Sequence, residues 1–250
     1  MCENMDGLII KISGSLIVNS KNEININFLK DFTETVKSLS EHYDIGIVPG
    51  GGPTARQYIK FARETGCTEA QADMVADKVQ RLYATLIAMQ LGSLAYPAPI
   101  DNIDMASNII RLNHKIGVIS GNFPGQSSDN IAAQLAGYLN IKKLVKISTT
   151  GGIFTADPNK EPSAKKIDVI TYDKLIDMVS NDTRKAGSNN VIDQICAKGI
   201  KNNYIELYFI SPKDIKNLKA IIEGRLSAGT VVNDTGKLYG TINMPKNVRD

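Results

Sequence analysis

The chain has little of what marks the specialised protein classes. Its three cysteines, Cys2, Cys67 and Cys196, are odd in number and share no metal-type spacing, which argues against a disulfide scaffold and suits reduced thiols in a cytoplasm. No apolar run is long enough to span a bilayer: the most apolar stretch, residues 86–100, is broken by Gln90, Gly92, Pro97 and Pro99. The first residues include Glu3 and Asp6 and lack the basic flank and apolar core of a signal peptide, so a cytoplasmic protein is expected. Charge of one sign is also scarce. A net charge of +3, from 29 basic and 26 acidic residues, is small and dispersed, with no basic stripe and no aromatics interleaved with arginine, so nucleic acid is not the expected partner. There are no internal repeats, low-complexity tracts or flexible linkers. The nucleotide-binding signatures GxxxxGKS/T and GxGxxG are both missing, which leaves the ordinary P-loop and dinucleotide readings unsupported. The only two histidines, His42 at a helix end and His114 in a turn, read as surface residues.

What is present is ordinary globular composition, with 42% apolar and 22% charged residues over 250 positions, enough for a sizeable core. Apolar strand-like runs alternate with helical periodicity. Leu8–Ile10 precedes an amphipathic stretch from Phe28 to Leu39. Ile45–Val48 precedes a helix from about Pro53 to a stop at Gly66. Thr68 with Gln71 forms a capping box for a long helix reaching about Leu91. A short helix before Asn113, strand Ile116–Ile119, helix Asp129–Leu139 and strand Leu144–Ile147 follow. Helices at Tyr172–Val179 and Val191–Ala197, strand Ile205–Ile210 and helix Pro212–Ile222 complete the pattern. Such alternation predicts an α/β fold, a mainly parallel sheet covered on both faces. A single domain is expected, with a division near residue 140 between an acceptor-phosphate lobe and an ATP-binding lobe.

Three glycine-bearing loops carry the chemistry. Lys11-Ile12-Ser13-Gly14-Ser15 and Gly50-Gly51-Gly52-Pro53-Thr54-Ala55-Arg56 each follow a strand and bring backbone N–H groups towards an anion. In this reading Lys11 reaches a bridging phosphate oxygen, Gly14 and Ser15 give close backbone approach and a hydroxyl, and Arg56 reaches back one helical turn. Each loop alone is equally well a tight strand–helix turn. The third loop, residues 120–129, ends in Ser127, Ser128 and Asp129 at a helix start. There the hydroxyls can hold phosphate or cap the helix, and Asp129 can orient Lys11. Lys146, in the strand before the late loop Ser148–Pro158, is either a second phosphate-binding cation or a solvated strand end. Together these loops indicate phosphoryl transfer, in which fixed donors and cations meet the charge of the moving group.

In this order the segments resemble the amino acid kinase family, and within it the archaeal-type UMP kinases. Residues 50–59 are similar to a GGGxxARxYI segment, residues 124–129 to the segment that contacts both acceptor and donor phosphates, and residues 148–158 to TNVDGVYxxDP. Gly187, Asp193 and Gly229-Thr230 fall where the family has a late glycine, aspartate and closing GT. The resemblance implies a three-layer α/β/α sandwich, MgATP as donor, a small phosphorylated acceptor such as UMP, and a hexamer. Carried onto this chain, it implies Lys11 and Asp129 as catalytic residues. Gly51, Gly52, Arg56, Asp73, Ser127 and Ser128 would then hold the acceptor, and Gly14, Ser15, Ser148, Phe154 and Asp157 the ATP.

Three positions depart from the pattern. Gly151 stands where the family has an aspartate, leaving magnesium to phosphate oxygens, water and Asp129 or Asp193, so that Gly151→Asp is expected to keep or improve nucleotide affinity. In the long helix, Asp73 and Arg81 match DxxGxxxxRxN, but Ala76 replaces its glycine and Tyr83 its asparagine, adding bulk beside the acceptor. No metal ligand is assigned. The alternatives are another kinase of this fold, such as isopentenyl phosphate kinase, or a non-catalytic nucleotide sensor or oxyanion storage protein. The absence of a histidine between residues 43 and 113 weighs against isopentenyl phosphate kinase.

Overall fold

The computed structural model describes residues 5–121, 125–158, 160–180 and 192–237, and strands and helices alternate from its first element. β1 (Asp6–Ile12) leads through one helical turn, α1 (Gly14–Ile17), to α2 (Ile26–Leu39). β2 (Tyr43–Pro49) leads to α3 (Gly52–Glu64) and α4 (Glu69–Leu91). α5 (Ile103–Ser107) runs into a π-helical turn, Asn108–Leu112, ahead of β3 (Gly117–Val118). α6 (Ser128–Tyr138) connects to β4 (Lys143–Ile147). A short hairpin of β5 (Ile153–Phe154) and β6 (Lys166–Ile167) precedes β7 (Val169–Thr171), α7 (Tyr172–Ser180) and α8 (Gln194–Asn202). β8 (Glu206–Ile210), α9 (Leu218–Ile222) and β9 (Thr230–Asn233) close the sequence of elements.

Seven strands form one sheet in the order β3-β2-β1-β4-β8-β9-β7. Every neighbouring pair is parallel except β8 with β9. A parallel sheet needs apolar side chains on both faces, and β1 supplies them. Leu8, Ile10 and Ile12 pack with α2, α4 and α9, while Ile9 packs on the other face with α6 and α8. The expected three-layer α/β/α sandwich is therefore the observed one. Phe32 and Leu29 of α2 are almost fully buried, and truncating such a phenylalanine to alanine costs about 3–5 kcal/mol.

Local signals set the boundaries. The Thr68 hydroxyl accepts from the Gln71 amide at 3.3 Å, and the Gln71 side chain accepts from the Thr68 amide at 2.8 Å, which starts α4 as expected. Gly66, at φ +84°, makes the turn between α3 and α4.

Other expectations need correction. The stretch from Pro212 begins as 3-10 turns over Pro212–Asn217 and becomes α-helical only at Leu218. α8 starts at Gln194 behind an Asp193 cap, and Val191, like Gly187, lies outside the described residues. His114 is exposed, as expected, and its Nδ1 lies 2.8 Å from a carboxylate oxygen of the buried Asp44. Among the described residues no helix is long and apolar enough to cross a membrane.

Candidate active site at the carboxyl edge of the sheet

Parallel strands β1, β2, β3, β4 and β8 end on one edge of the sheet, where α/β folds place their ligand sites. Two of the three glycine loops meet there backbone to backbone. A Cβ built on Gly14 would lie 2.2 Å from the Gly50 carbonyl oxygen and 2.3 Å from the Gly52 nitrogen. Gly52 itself sits at φ +61°, and a Cβ there would lie 2.5 Å from the Gly14 carbonyl carbon. Only glycine permits this approach, so the two loops form one cradle. Its frame is fixed by the Gly50 amide donating to Ile12 O (2.8 Å) and the Ser13 amide donating to Ile147 O (3.0 Å). The third loop joins through Ser128, whose hydroxyl is 3.2 Å from where a Gly50 Cβ would stand.

Beside the cradle lies a buried charge cluster. Lys11 and Lys146 are register partners on β1 and β4, so their side chains leave the sheet on the same face, the α6 face. The Asp129 carboxylate, in the first turn of α6, meets both. Lys146 Nζ donates at 2.7 Å and Lys11 Nζ lies at 3.2 Å. Burial pushes the Asp129 carboxyl upward, but the two ammonium groups outweigh it and hold it below the usual carboxylate range. For Lys11 burial dominates, with Lys146 adding to it, and the ammonium is held below its ordinary value despite Asp129. The expected orientation of Lys11 by Asp129 is what the geometry shows. Lys146, which the sequence left open between cation and solvated strand end, is 5% exposed and packs 5.2 Å over the Phe209 ring. It belongs to the cluster, and the signal for it was its equal distance from a strand end.

Arg56 is exposed one turn into α3. The Asp73 carboxylate accepts from the Gly125 amide at 2.8 Å and ties α4 to the loop before α6. Arg81 pairs with Asp101 at 2.9 Å. The Ser127 hydroxyl caps α6 by accepting from the Asn130 amide (3.0 Å) and also donates to Asp193, the cap of α8. The expectation for Tyr83 is overturned. Its side chain is 2% exposed and its hydroxyl donates to Thr54 Oγ1 at 2.8 Å, so it braces α3 from within the core and adds no bulk to an acceptor pocket. Sequence reasoning missed Asp77 and Gln80, which stand one turn on from Asp73 and Ala76 and face Gly121.

The late loop follows β4. The Ser148 amide donates to Ile210 O (3.1 Å) and its hydroxyl lies 3.2 Å from that of Thr150. Phe154 and Asp157 are half-buried on and after β5, beyond the charge cluster. Gly151 sits at φ +64°, and a Cβ there would lie 2.8 Å from Ser211 Cβ. An aspartate at 151 therefore meets both strain and a clash, which overturns the expected benefit of Gly151→Asp. Gly229 and Thr230 hold the loop from behind. The Thr230 hydroxyl donates to Ile167 O (2.5 Å) and accepts from the Ile153 amide (2.8 Å). A Cβ on Gly229 would meet Phe209 O at 2.0 Å.

A protein-held metal does not fit this donor set. Among the described residues no three His, Cys, Asp or Glu side chains cluster. Asp129 is committed to two lysines, and Asp193 to Ser127 and the Cys196 amide.

The chain as a whole is similar to known proteins. The model of the amino acid kinase family matches residues 6–211. The uridylate kinase of Thermococcus kodakarensis is 35% identical over 225 residues, covering 90% of this chain and 98% of the relative. That of Methanoculleus marisnigri is 34% identical over 233 residues, covering 93% and 97%. Among solved structures, uridylate kinase from Archaeoglobus fulgidus superposes with a TM-score of 0.78 at 28% identity, covering 90% of this chain and 99% of that one. The UMP kinase of Bacillus anthracis, at 19% identity and a TM-score of 0.77, shares the fold. With the family model matching residues 6–211 and relatives covered almost end to end, the chain belongs to the amino acid kinase family.

Proposed function

We propose that the chain is an ATP-dependent phosphotransferase that moves the γ-phosphoryl group of MgATP to UMP, giving UDP and ADP for pyrimidine nucleotide supply in the cytoplasm. One observation carries this reading: two buried lysines share a single carboxylate beside a cradle of two fused glycine loops. The relatives named uridylate kinase, covered almost end to end, support UMP as acceptor.

In this reading the UMP phosphate sits on the N–H groups of Gly51 and Gly52 at the α3 N-terminus, with Arg56 and Ser128 beside it. Its oxygen, already ionised, attacks the γ-phosphorus. The new P–O bond forms as the bond to the β-phosphate bridging oxygen breaks, and that electron pair leaves on ADP. No general base is needed. The protein's work is to hold two polyanions in line and offset charge on the equatorial oxygens. Lys11 and Lys146 supply that offset, Asp129 fixes their positions, and the N–H groups of Gly14 and Ser15 line the transfer path. The loop Ser148–Asp157 holds the nucleoside end of ATP, with Phe154 against adenine and Asp157 at a ribose hydroxyl. Magnesium enters as part of MgATP, carried on phosphate oxygens and water, as suits an ion that uses few protein ligands.

A hexamer goes with this reading. Exposed Tyr58 and Phe61 of α3, with Leu82 and Met89 of α4, offer an apolar surface for a second copy to cover. The test of function is ADP release, measured with UMP, CMP, isopentenyl phosphate and acetylglutamate as acceptors. Turnover with UMP at the highest kcat/KM supports the proposal. Preference for another acceptor, or no turnover at all, contradicts it.

A further inference from the structure

A chain of hydrogen bonds runs from the core of α4 across the first turn of α3 to the surface. Tyr83, where the family pattern has asparagine, is 2% exposed, and its ring packs in the same apolar cluster as Ala55 of α3. Its hydroxyl donates to Thr54 Oγ1 at 2.8 Å. Burial pushes that hydroxyl above its ordinary pKa, so it keeps its proton and remains a donor. Thr54 donates in turn to Asn22 Oδ1 at 3.1 Å, and Asn22 Nδ2 donates to Gln57 Oε1 at 3.2 Å. The single proton of Thr54 is thereby committed to Asn22, which leaves its oxygen free to accept from Tyr83.

Both ends of the chain are anchored. Asn22 lies in the turn of a hairpin closed by the Val18–Ile24 bridge and by the Asn19 amide donating to Glu23 O at 3.0 Å. Its φ of +62° is left-handed backbone, which asparagine tolerates better than most residues. The hairpin continues directly from the turn Gly14–Ile17, whose Gly14 meets Gly52 backbone to backbone. Thr54 stands in the first turn of α3, between Gly52 and Arg56. The chain therefore ties the two cradle loops together a second time, through side chains, and sets the turn from which the α3 amides and Arg56 project.

We propose that Tyr83 is a positioning residue for the acceptor: its hydroxyl, acting through Thr54, holds the first turn of α3 where the UMP phosphate is received. This rests on the UMP reading above and adds to it a residue that touches neither substrate yet sets acceptor affinity. Amide contacts to a phosphate are short and directional, so a small shift of this turn weakens all of them together. The loop that holds the nucleoside end of ATP is not part of the chain.

The test is steady-state kinetics on Tyr83→Phe, which removes the hydroxyl and keeps the ring. The UMP KM is expected to rise at least about fivefold while the ATP KM stays within about twofold. Thr54→Val cuts the next link and should give the same pattern, whereas Thr54→Ser keeps both bonds and should hold the UMP KM within about twofold of the wild type. The double variant Tyr83→Phe/Thr54→Val should be no worse than Thr54→Val alone, because both changes break one chain. A hydroxyl that only stabilised the fold would lower the melting temperature and the active fraction, hence kcat, and leave the UMP KM in place. An unchanged UMP KM in Tyr83→Phe, an equal rise in the ATP KM, or additive losses in the double variant overturns the assignment. If the wild type does not phosphorylate UMP, the UMP reading itself fails, and the assignment with it.

Discussion

Lys11 on β1 and Lys146 on β4 stand side by side in register, and one carboxylate, Asp129, holds both ammonium groups. Two like charges are thereby kept together in a nearly dry place that only an anion makes comfortable. Replacing Lys146 by methionine keeps most of its packing on Phe209 and removes the charge. It should lower kcat by about tenfold or more with little change in the UMP KM, because the lost interaction belongs to the transition state. Steady-state kinetics decides, and a pure KM effect would place Lys146 on the acceptor instead.

Asp129→Ala should be the more damaging change to the fold. It strands two buried lysines, and breaking a buried ion pair by removing one partner costs about 3–5 kcal/mol. Urea unfolding measures this, with a loss under about 1 kcal/mol speaking against the cluster. The same carboxyl gives a pH signature. Its folded value lies below the ordinary one, so its stabilisation is present above the unfolded pKa and disappears as pH falls through the folded value. The wild type should lose stability on acidification more steeply than Asp129→Asn.

Arg56→Ala should raise the UMP KM while leaving ATP binding nearly unchanged. Its guanidinium stands one turn into α3, next to the acceptor cradle, and is suited to bidentate bonds with a monophosphate. Calorimetry with a non-hydrolysable ATP analogue checks the second half. A fall in ATP affinity would reverse the assignment of the two phosphate loops.

Gly151→Asp should weaken binding of that analogue and lower the unfolding midpoint. The left-handed backbone and the 2.8 Å approach to Ser211 Cβ both oppose it. Tighter nucleotide binding in this variant would show that the loop relaxes away from Ser211.

Much of this was legible in the sequence, for physical reasons that can be named. β1, β2 and β4 are mostly apolar because both faces are covered, and the Thr68–Gln71 box writes the start of α4 directly. The glycines of the two cradle loops are dictated by backbone approach, so the residues themselves announced the site. The strands β5, β6, β7 and β9 were not legible, being two to four residues long and lacking any period. Tyr83 misled because sequence does not tell which side of α4 faces the core, and it braces Thr54 from inside. The same ambiguity hid Asp77 and Gln80, which face Gly121. Gly151 looked like a lost ligand, yet its φ of +64° makes it a turn residue in its own right.

The most direct test of the account is single-turnover transfer of labelled γ-phosphate from MgATP to UMP, comparing the wild type with Lys11→Ala. Asp129 stays paired with Lys146 in that variant, so the fold should hold while the chemistry fails. The account predicts labelled UDP from the wild type and a rate at least about a hundredfold lower from Lys11→Ala, the scale of losing one preorganised donor. Equal rates from the two proteins, or no labelled UDP from the wild type, would contradict it.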